Sequence, residues 1–241
     1  MLQYAIISDP GGRKINEDAV AVFQSKGDFG CVLCDGLGGH GMGDIASSIV
    51  KSVFTDLFYK TAQKRSFLDT AFCASQDILM TEQRERNATN KMKTTAVSMV
   101  TDGKDVYIGH IGDSRLYVFH KNKVKMRTID HSVPQMLALS GDIKESEIRF
   151  HKDRNIVLRV LGIEWEDERY ELEKPIRLKK CQAFLLCSDG FWELIDEDEM
   201  CGLLKSAASV DEWLNMMTAT VKRNGSGRNM DNYSAIAVWN I

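Results

Sequence analysis

Short apolar runs that stop at an aspartate with glycine beside it recur along this chain: Val32-Leu33-Cys34-Asp35-Gly36, Ile111-Gly112-Asp113-Ser114 and Leu185-Leu186-Cys187-Ser188-Asp189-Gly190. A fourth carboxylate, Asp231, opens the last apolar run, Tyr233 to Trp239. Read as strands, these runs would bring their acids to one rim of the fold. An oxygen-lined pocket of that kind holds hard divalent cations.

The acids call for a local explanation because the bulk composition supplies none. A formal net charge of −3 over 241 residues gives no electrostatic footprint for nucleic acid or an anionic membrane. With 44% apolar residues, one domain of this length would bury roughly three quarters of its unfolded surface and needs no covalent staples. Residues 1–241 are therefore expected to form a single domain. Met1 to Asp9 lacks the basic-then-apolar pattern of a signal peptide, and no apolar stretch approaches the ~18 residues of a membrane span, so a soluble cytoplasmic protein is expected. Cys31, Cys34, Cys73, Cys181, Cys187 and Cys201 mostly sit inside apolar runs and read as reduced thiols. Cys31-Val32-Leu33-Cys34 has metal-ligand spacing, but positions three apart on a strand point to opposite faces.

Punctuation by Gly, Asp and Asn sets off strands at Leu2–Ile7, Ala19–Gln24 and Phe29–Cys34. A helix follows over Gly43–Tyr59, with Ile45, Ile49, Val53 and Leu57 expected on its buried face. The next helix starts at Ser66 as N-cap, with Phe67, Ala71, Phe72, Ile78 and Leu79 as its stripe. From Thr95 to Thr128 the pattern predicts an antiparallel meander of four strands, the first pair joined at Asp102-Gly103. Residues 132–165 are polar and irregular, with short helical pieces, and read as a flap beside a site. A strand at Ala183–Cys187, helices near Asp196–Lys205 and Ser209–Arg223, and a closing strand complete an α+β pattern. A Ser209-x-x-Glu212 capping box starts the last helix.

Taken alone, Asp-Gly is a turn dipeptide, and Asp102-Gly103 reads that way. Asp35, Asp113 and Asp189 differ in sharing strand-end positions, with Glu17-Asp18 before another strand and Asp231 before the last. Carboxylates gathered without cations repel one another, so a cluster implies metal. No His or Cys stands at ligand spacing beside them, which favours Mg²⁺ or Mn²⁺ over Zn²⁺. Two such ions sharing a water lower its pKa and suit it to hydrolysis. Arg13, four residues before Glu17, is placed to clamp a phosphate dianion, although without its acidic neighbours it would read as a solvated surface arginine.

Gly36-Leu37-Gly38-Gly39-His40-Gly41 contains G-x-G-x-x-G between a strand and a helix, the dinucleotide-binding context. Asp35 would set its own charge against a pyrophosphate there, and no acid-ended strand follows about 20 residues on. His110 and His120 fall in strands and read as structural, whereas His40 and His131 fall in loops near the rim. No Ser or Cys nucleophile motif accompanies them.

In order, Arg13-x-x-x-Glu17-Asp18, Asp35-Gly36-x-Gly38-Gly39-His40, Thr94-Thr95, Gly112-Asp113-Ser114-Arg115, Asp130-His131-Ser132, Arg159-x-x-Gly162, Ser188-Asp189-Gly190 and Asp231-Asn232 resemble the motifs of the metal-dependent serine/threonine protein phosphatases, the type 2C or PPM family. The match runs over essentially the whole chain and looks like a compact bacterial-type member. The resemblance implies a four-layer αββα sandwich of two antiparallel sheets flanked by helix pairs, with two Mn²⁺ or Mg²⁺ ions at one end. It implies that Asp35 bridges the ions, the Gly36 carbonyl ligates the first, and Asp189 and Asp231 hold the second. Asp18 and Glu17 would act near this centre, Glu17 through bound water, and Asp113 with Asp189 would hold a weaker third ion. Arg13 would hold the substrate phosphate.

The implied reaction is in-line attack of a metal-bridging hydroxide on phosphoserine or phosphothreonine in proteins, the products of a serine/threonine kinase. Leu37 stands where some relatives carry His, Lys93 replaces a usual Gly and Ser234 a common Thr. A catalytically silent phosphoprotein-binding scaffold is the alternative, and a small phosphomonoester substrate is a third possibility.

Overall fold

The computed structural model describes residues 2–38, 41–167 and 169–241; Gly39 and His40 of the glycine-rich loop lie outside the described residues. Two antiparallel sheets stack face to face. The first runs β1 (Leu2–Asp9), β11 (Tyr233–Asn240), β10 (Ala183–Cys187), β6 (Arg115–His120), β7 (Lys123–Arg127). The second runs β2 (Asp18–Ser25), β3 (Asp28–Asp35), β4 (Ala96–Thr101), β5 (Asp105–Ile111), then β8 (Glu171–Leu172), with β9 (Ile176–Arg177) also on β5. Strand alternation fills three apolar layers. Leu33, Met99, Val118, Leu186 and Ile236 meet between the sheets. Val32, Cys34 and Val100 face the helices α1 (Gly43–Lys60) and α2 (Phe67–Glu85). Tyr117, Leu185 and Ala237 face α5 (Glu197–Ser206) and α6 (Val210–Gly225). The fold is the expected α+β, αββα sandwich.

Cys31 lies between the sheets and Cys34 under α1, as the strand period requires, and all six cysteines are free. The buried stripe of α1 differs from the sequence expectation. Ala46, Val50, Phe54 and Phe58 are fully buried, while Ile45, Ile49 and Leu57 only flank them. The row with the two phenylalanines wins because Phe54 meets Phe67 and Phe72 of α2 edge to face, at 5.9 and 5.2 Å between centroids. Ile78 is exposed. Its expected place on the inner face of α2 is taken by Ser75, Gln76 and Gln83, and both glutamine amides bond to the backbone of Gly162. Ser66 occupies the cap position of α2 without a side-chain cap bond, because a tight turn over Lys64–Ser66 leads in instead. At α6 Ser209 Oγ accepts from Glu212 N, and Glu212 reaches back to Ala208 N.

The expected four-strand meander is broken in the middle. β4 and β5 form the hairpin at Asp102-Gly103, but the chain then leaves the second sheet and enters the first as β6. Gly112, at φ +101°, makes that crossing, and a side chain there would run into Thr95. The crossing sets Asp113 down between the two sheets' ends. The flap carries α3 (Val133–Ser140), capped by Ser132, and a 3₁₀ turn at Glu145–Phe150. It returns through Val133 N→Ile156 O and Leu158 N→His131 O bonds, and the short α4 (Asp189–Trp192) follows β10. No helix among the described residues is long and apolar enough to cross a membrane.

Candidate metal centre

Strand register brings the acids together. Asp18 opens β2 directly opposite Asp35 at the end of β3. Asp189 is the first residue after β10 and Ser188, and Asp231 lies two residues before the start of β11. Thr94 and Thr95 hold the backbone of Asp35 from both sides: Thr95 N and Thr94 Oγ1 donate to its carbonyl at 2.9 Å, and its N–H donates to Thr95 Oγ1. Asn232 ties down the loop before β2, accepting from Glu17 N at 2.8 Å and donating to Pro10 O and Ile15 O. Glu17 in turn lies across Gly38, where any Cβ would overlap its carboxylate.

These elements enclose a recess of about 520 Å³ lined by Arg13, Glu17, Asp35, Gly36, Leu37, Asp113, Asn155, Asp189 and Asp231 among others. Among the described residues Arg13 is the only cation lining it, against five carboxylates. Asp18 stands behind the recess, buried, with Ser188 Oγ donating to Oδ2 at 2.9 Å and Oδ1 left without a partner.

Desolvation and mutual repulsion disturb Asp18, Asp35, Asp113, Asp189 and Glu17. Burial, then Asp18, Asp189 and Asp113, push Asp35 well up from the ordinary carboxylate value. Burial raises Asp18 to about 7, and burial with Asp231 raises Asp189 to about 6. Asp113 is likewise raised by burial and by Asp189, and Glu17 by burial and Asp44. A divalent cation among these carboxylates would relieve their mutual repulsion. The orphaned Asp18 oxygen and the all-oxygen donor set fit Mg²⁺ or Mn²⁺.

Arg13 is brought to the recess as expected, but its guanidinium lies on Asp231. Leu37 lines the recess, its N–H on Lys93 O at 2.9 Å, and Ser234 Oγ bonds Ser8 Oγ. His110, His131 and Glu171 place three ligand-type atoms within 4.8 Å of one another. His131 Nδ1, however, accepts from Gly112 N, which leaves the ring proton on Nε2, toward Glu171 at 3.2 Å. Burial lowers His131 to about 4, so the neutral ring acts as a post under Gly112. Asn155 and Val157 reach the recess from the flap, which sequence patterning did not single out. Glu193 was also missed. It lies one helical turn after Asp189, a spacing that is itself a signal, and lines a cleft beside the recess rather than the recess; burial and Asp189 raise it to about 7.

The family profile described as Protein phosphatase 2C matches residues 12–231. The serine/threonine phosphatase stp of Listeria welshimeri serovar 6b is 30% identical over 233 residues, covering 90% of this chain and 88% of its own. The crystal structure of the serine/threonine phosphatase Stp1 from Staphylococcus aureus superposes with a TM-score of 0.89 at 28% identity, over 100% of this chain and 96% of that one. The catalytic domain of the serine/threonine protein phosphatase PstP, in complex with two manganese ions, superposes with a TM-score of 0.81 at 25% identity, over 99% and 97%. Sheet order, the ring of acids and the profile match agree: the chain belongs to the protein phosphatase 2C family.

Proposed function

We propose that residues 1–241 act as one catalytic unit that hydrolyses phosphoserine and phosphothreonine in proteins, with two divalent ions, Mn²⁺ or Mg²⁺, as cofactors. Five carboxylates facing one guanidinium across a single recess carry this reading. The manganese in the PstP structure supports the choice of ion. Asp35 would lie between the two ions, with the Gly36 carbonyl on one and Asp189 and Asp231 on the other. Asp18 would complete the set from behind, Glu17 would act through water, and Asp113 with Asp189 would serve a weaker third ion. When bound, the ions acidify water for in-line attack and neutralise the phosphoryl oxygens.

The chain's own residues supply the rest. Arg13 binds phosphoryl oxygens through its paired N–H groups. Thr94 and Thr95 fix the Asp35 backbone, and Asn232 fixes Glu17, so the donors are held before substrate arrives. No imidazole lines the recess among the described residues, and Leu37 presents an apolar side chain there.

The test is phosphate release from a phosphothreonine peptide during Mn²⁺ titration. Release that depends on metal, stops with chelator and is lost in Asp35→Asn is expected. Peptide binding without release at saturating Mn²⁺ would identify a silent scaffold instead. Turnover of p-nitrophenyl phosphate alone would point to small phosphomonoesters.

A further inference from the structure

A second cleft, of about 180 Å³, opens off the recess and shares Arg13, Asn155, Asp189 and Asp231 with it. Its outer wall is Arg154, Glu193, Leu194 and the loop Arg228, Asn229, Met230. Three guanidinium groups line it, and two of them are already engaged. Arg13 lies on Asp231 at 2.8 Å, and Arg154 Nε donates to Glu193 Oε2 at 3.1 Å. Arg228 has no ion pair or side-chain hydrogen bond among the described residues; only its N–H is used, toward Gly225 O at 3.0 Å.

The loop that carries Arg228 is held on both sides. Gly12 N donates to Met230 O at 2.9 Å, and the Met230 side chain lies directly over Gly225. Arg228 thus stands on a held backbone, its exposed guanidinium without a compensating partner among the described residues, at the wall of the cleft. Once Asp189 and Asp231 serve cations and Arg13 serves the scissile phosphate, the cleft's remaining acid, Glu193, is neutralised by Arg154. The cleft is then net positive, and Arg228 is the group that makes it so.

We infer that this cleft is an anion subsite in which Arg228 binds an acidic side chain, carboxylate or phosphoryl, of the substrate peptide, within a few residues of the phosphoresidue being hydrolysed. The inference rests on the phosphatase reading above. Arg228 is a specificity-determining residue in it, because it touches the substrate away from the reacting atoms. A charge pair of this exposure is worth about a fivefold preference for the acidic peptide.

The test compares kcat/KM with Mn²⁺ on phosphothreonine peptides whose flanking positions carry, one at a time, Asp, phosphoserine, Asn or Lys. Wild-type protein should favour Asp over Asn about fivefold at one flanking position, through KM. A larger gain with phosphoserine than with Asp would mark the phosphoryl group as the better occupant, and equal gains would mark simple charge recognition; either supports the subsite. Arg228→Gln should remove the preference and Arg228→Glu should shift it to Lys. The wild-type preference should also shrink between roughly 50 and 500 mM salt, a readout that needs no variant. Equal rates on all peptides in wild type, or a preference that survives Arg228→Gln, would overturn the subsite while leaving the phosphatase reading intact. No turnover of any peptide would overturn both.

Discussion

Arg13 holds Asp231 in a two-point grip, Nε to Oδ1 at 3.1 Å and Nη2 to Oδ2 at 2.8 Å, so one proposed phosphate clamp occupies one proposed metal ligand. Both side chains are about half exposed, and the pair is exchangeable rather than locked. A cation that takes the Asp231 oxygens competes with Arg13, and in losing the contest Arg13 becomes free for phosphate. Arg13→Ala should therefore act in opposite directions on the two ligands. Calorimetry should show Mn²⁺ binding tightened by roughly three- to tenfold, while steady-state kinetics show KM for phosphopeptide raised by at least about tenfold. Weakened binding of both ligands would contradict the competition.

Asp35→Asn and Asp189→Asn should separate function from stability. Each removes a carboxylate whose ionisation burial and its neighbours oppose, so the metal-free variant should melt higher than wild type in chelator. The gain is on the order of 1–2 kcal/mol, or a few degrees for a chain of this size. With Mn²⁺ the order should reverse, because only wild type gains binding free energy from the ion. Activity in both variants should fall by about 100-fold or more. Melting curves with and without Mn²⁺, read beside phosphate release, check all three statements.

The same shifts fix a sign for pH. Asp18, raised to about 7, and Asp189, raised to about 6, bind protons in the folded metal-free protein that the unfolded chain, titrating near 4, does not bind. Between pH 4 and 7 the native state thus holds the larger number of protons, and its stability falls as pH rises through that window. His131, lowered to about 4 by burial, opposes this below its ordinary value of about 6.5. Subtracting the Asp35→Asn profile from wild type, by urea unfolding in chelator, cancels the histidine and leaves Asp35 with its coupling to Asp18 and Asp189, which should show the same sign. Metal must displace the same protons, so Mn²⁺ affinity should drop as pH is lowered from 7.5 to 6, with protons released on binding. A flat affinity across that range would contradict the shifts.

What the sequence made legible follows from range. The alternation of Val32, Leu33 and Cys34 and the acid closing that run are local, so β3 and Asp35 could be read directly. The capping contact of Ser209 is also local. The sheet switch at Gly112 was not readable, because the same strand–turn–strand pattern serves a hairpin or a crossing, and the close approach of Gly112 to Thr95 exists only in the folded chain. The four-residue rows on α1 are equivalent in period, and only Phe67 and Phe72 of the next helix select the row with Phe54. β8 and β9, two residues each, are too short to carry a pattern. Arg13 on Asp231 joins opposite ends of the chain, and Arg228 matters only through a cleft that exists after folding.

The last prediction concerns the support under Asp113. Arg115, buried, makes paired bonds to Asp130 at 2.9 and 2.6 Å and lies flat on Trp192, 3.4 Å from its ring centre. Trp192 Nε1 donates to the Asp113 carbonyl at 3.0 Å, so the ion pair, the indole and the candidate ligand form one stack. Asp130→Ala leaves the Arg115 guanidinium buried without its carboxylate, since Glu197 lies 3.7 Å off and is itself partly exposed. The expected cost is about 3–5 kcal/mol, a drop on the order of 10 °C in Tm, and Arg115→Met with Asp130→Leu should recover part of it by removing both charges, Arg127 losing its bond to Asp130 but keeping Glu145. Trp192→Phe keeps the packing and deletes only the N–H. It should leave Tm within a few degrees of wild type while raising the Mn²⁺ concentration needed for half-maximal activity, because the Asp113 backbone loses its donor. An unchanged Mn²⁺ requirement, with the variant's fold verified by near-UV circular dichroism, would show that Asp113 takes its position from Gly112 and His131 alone.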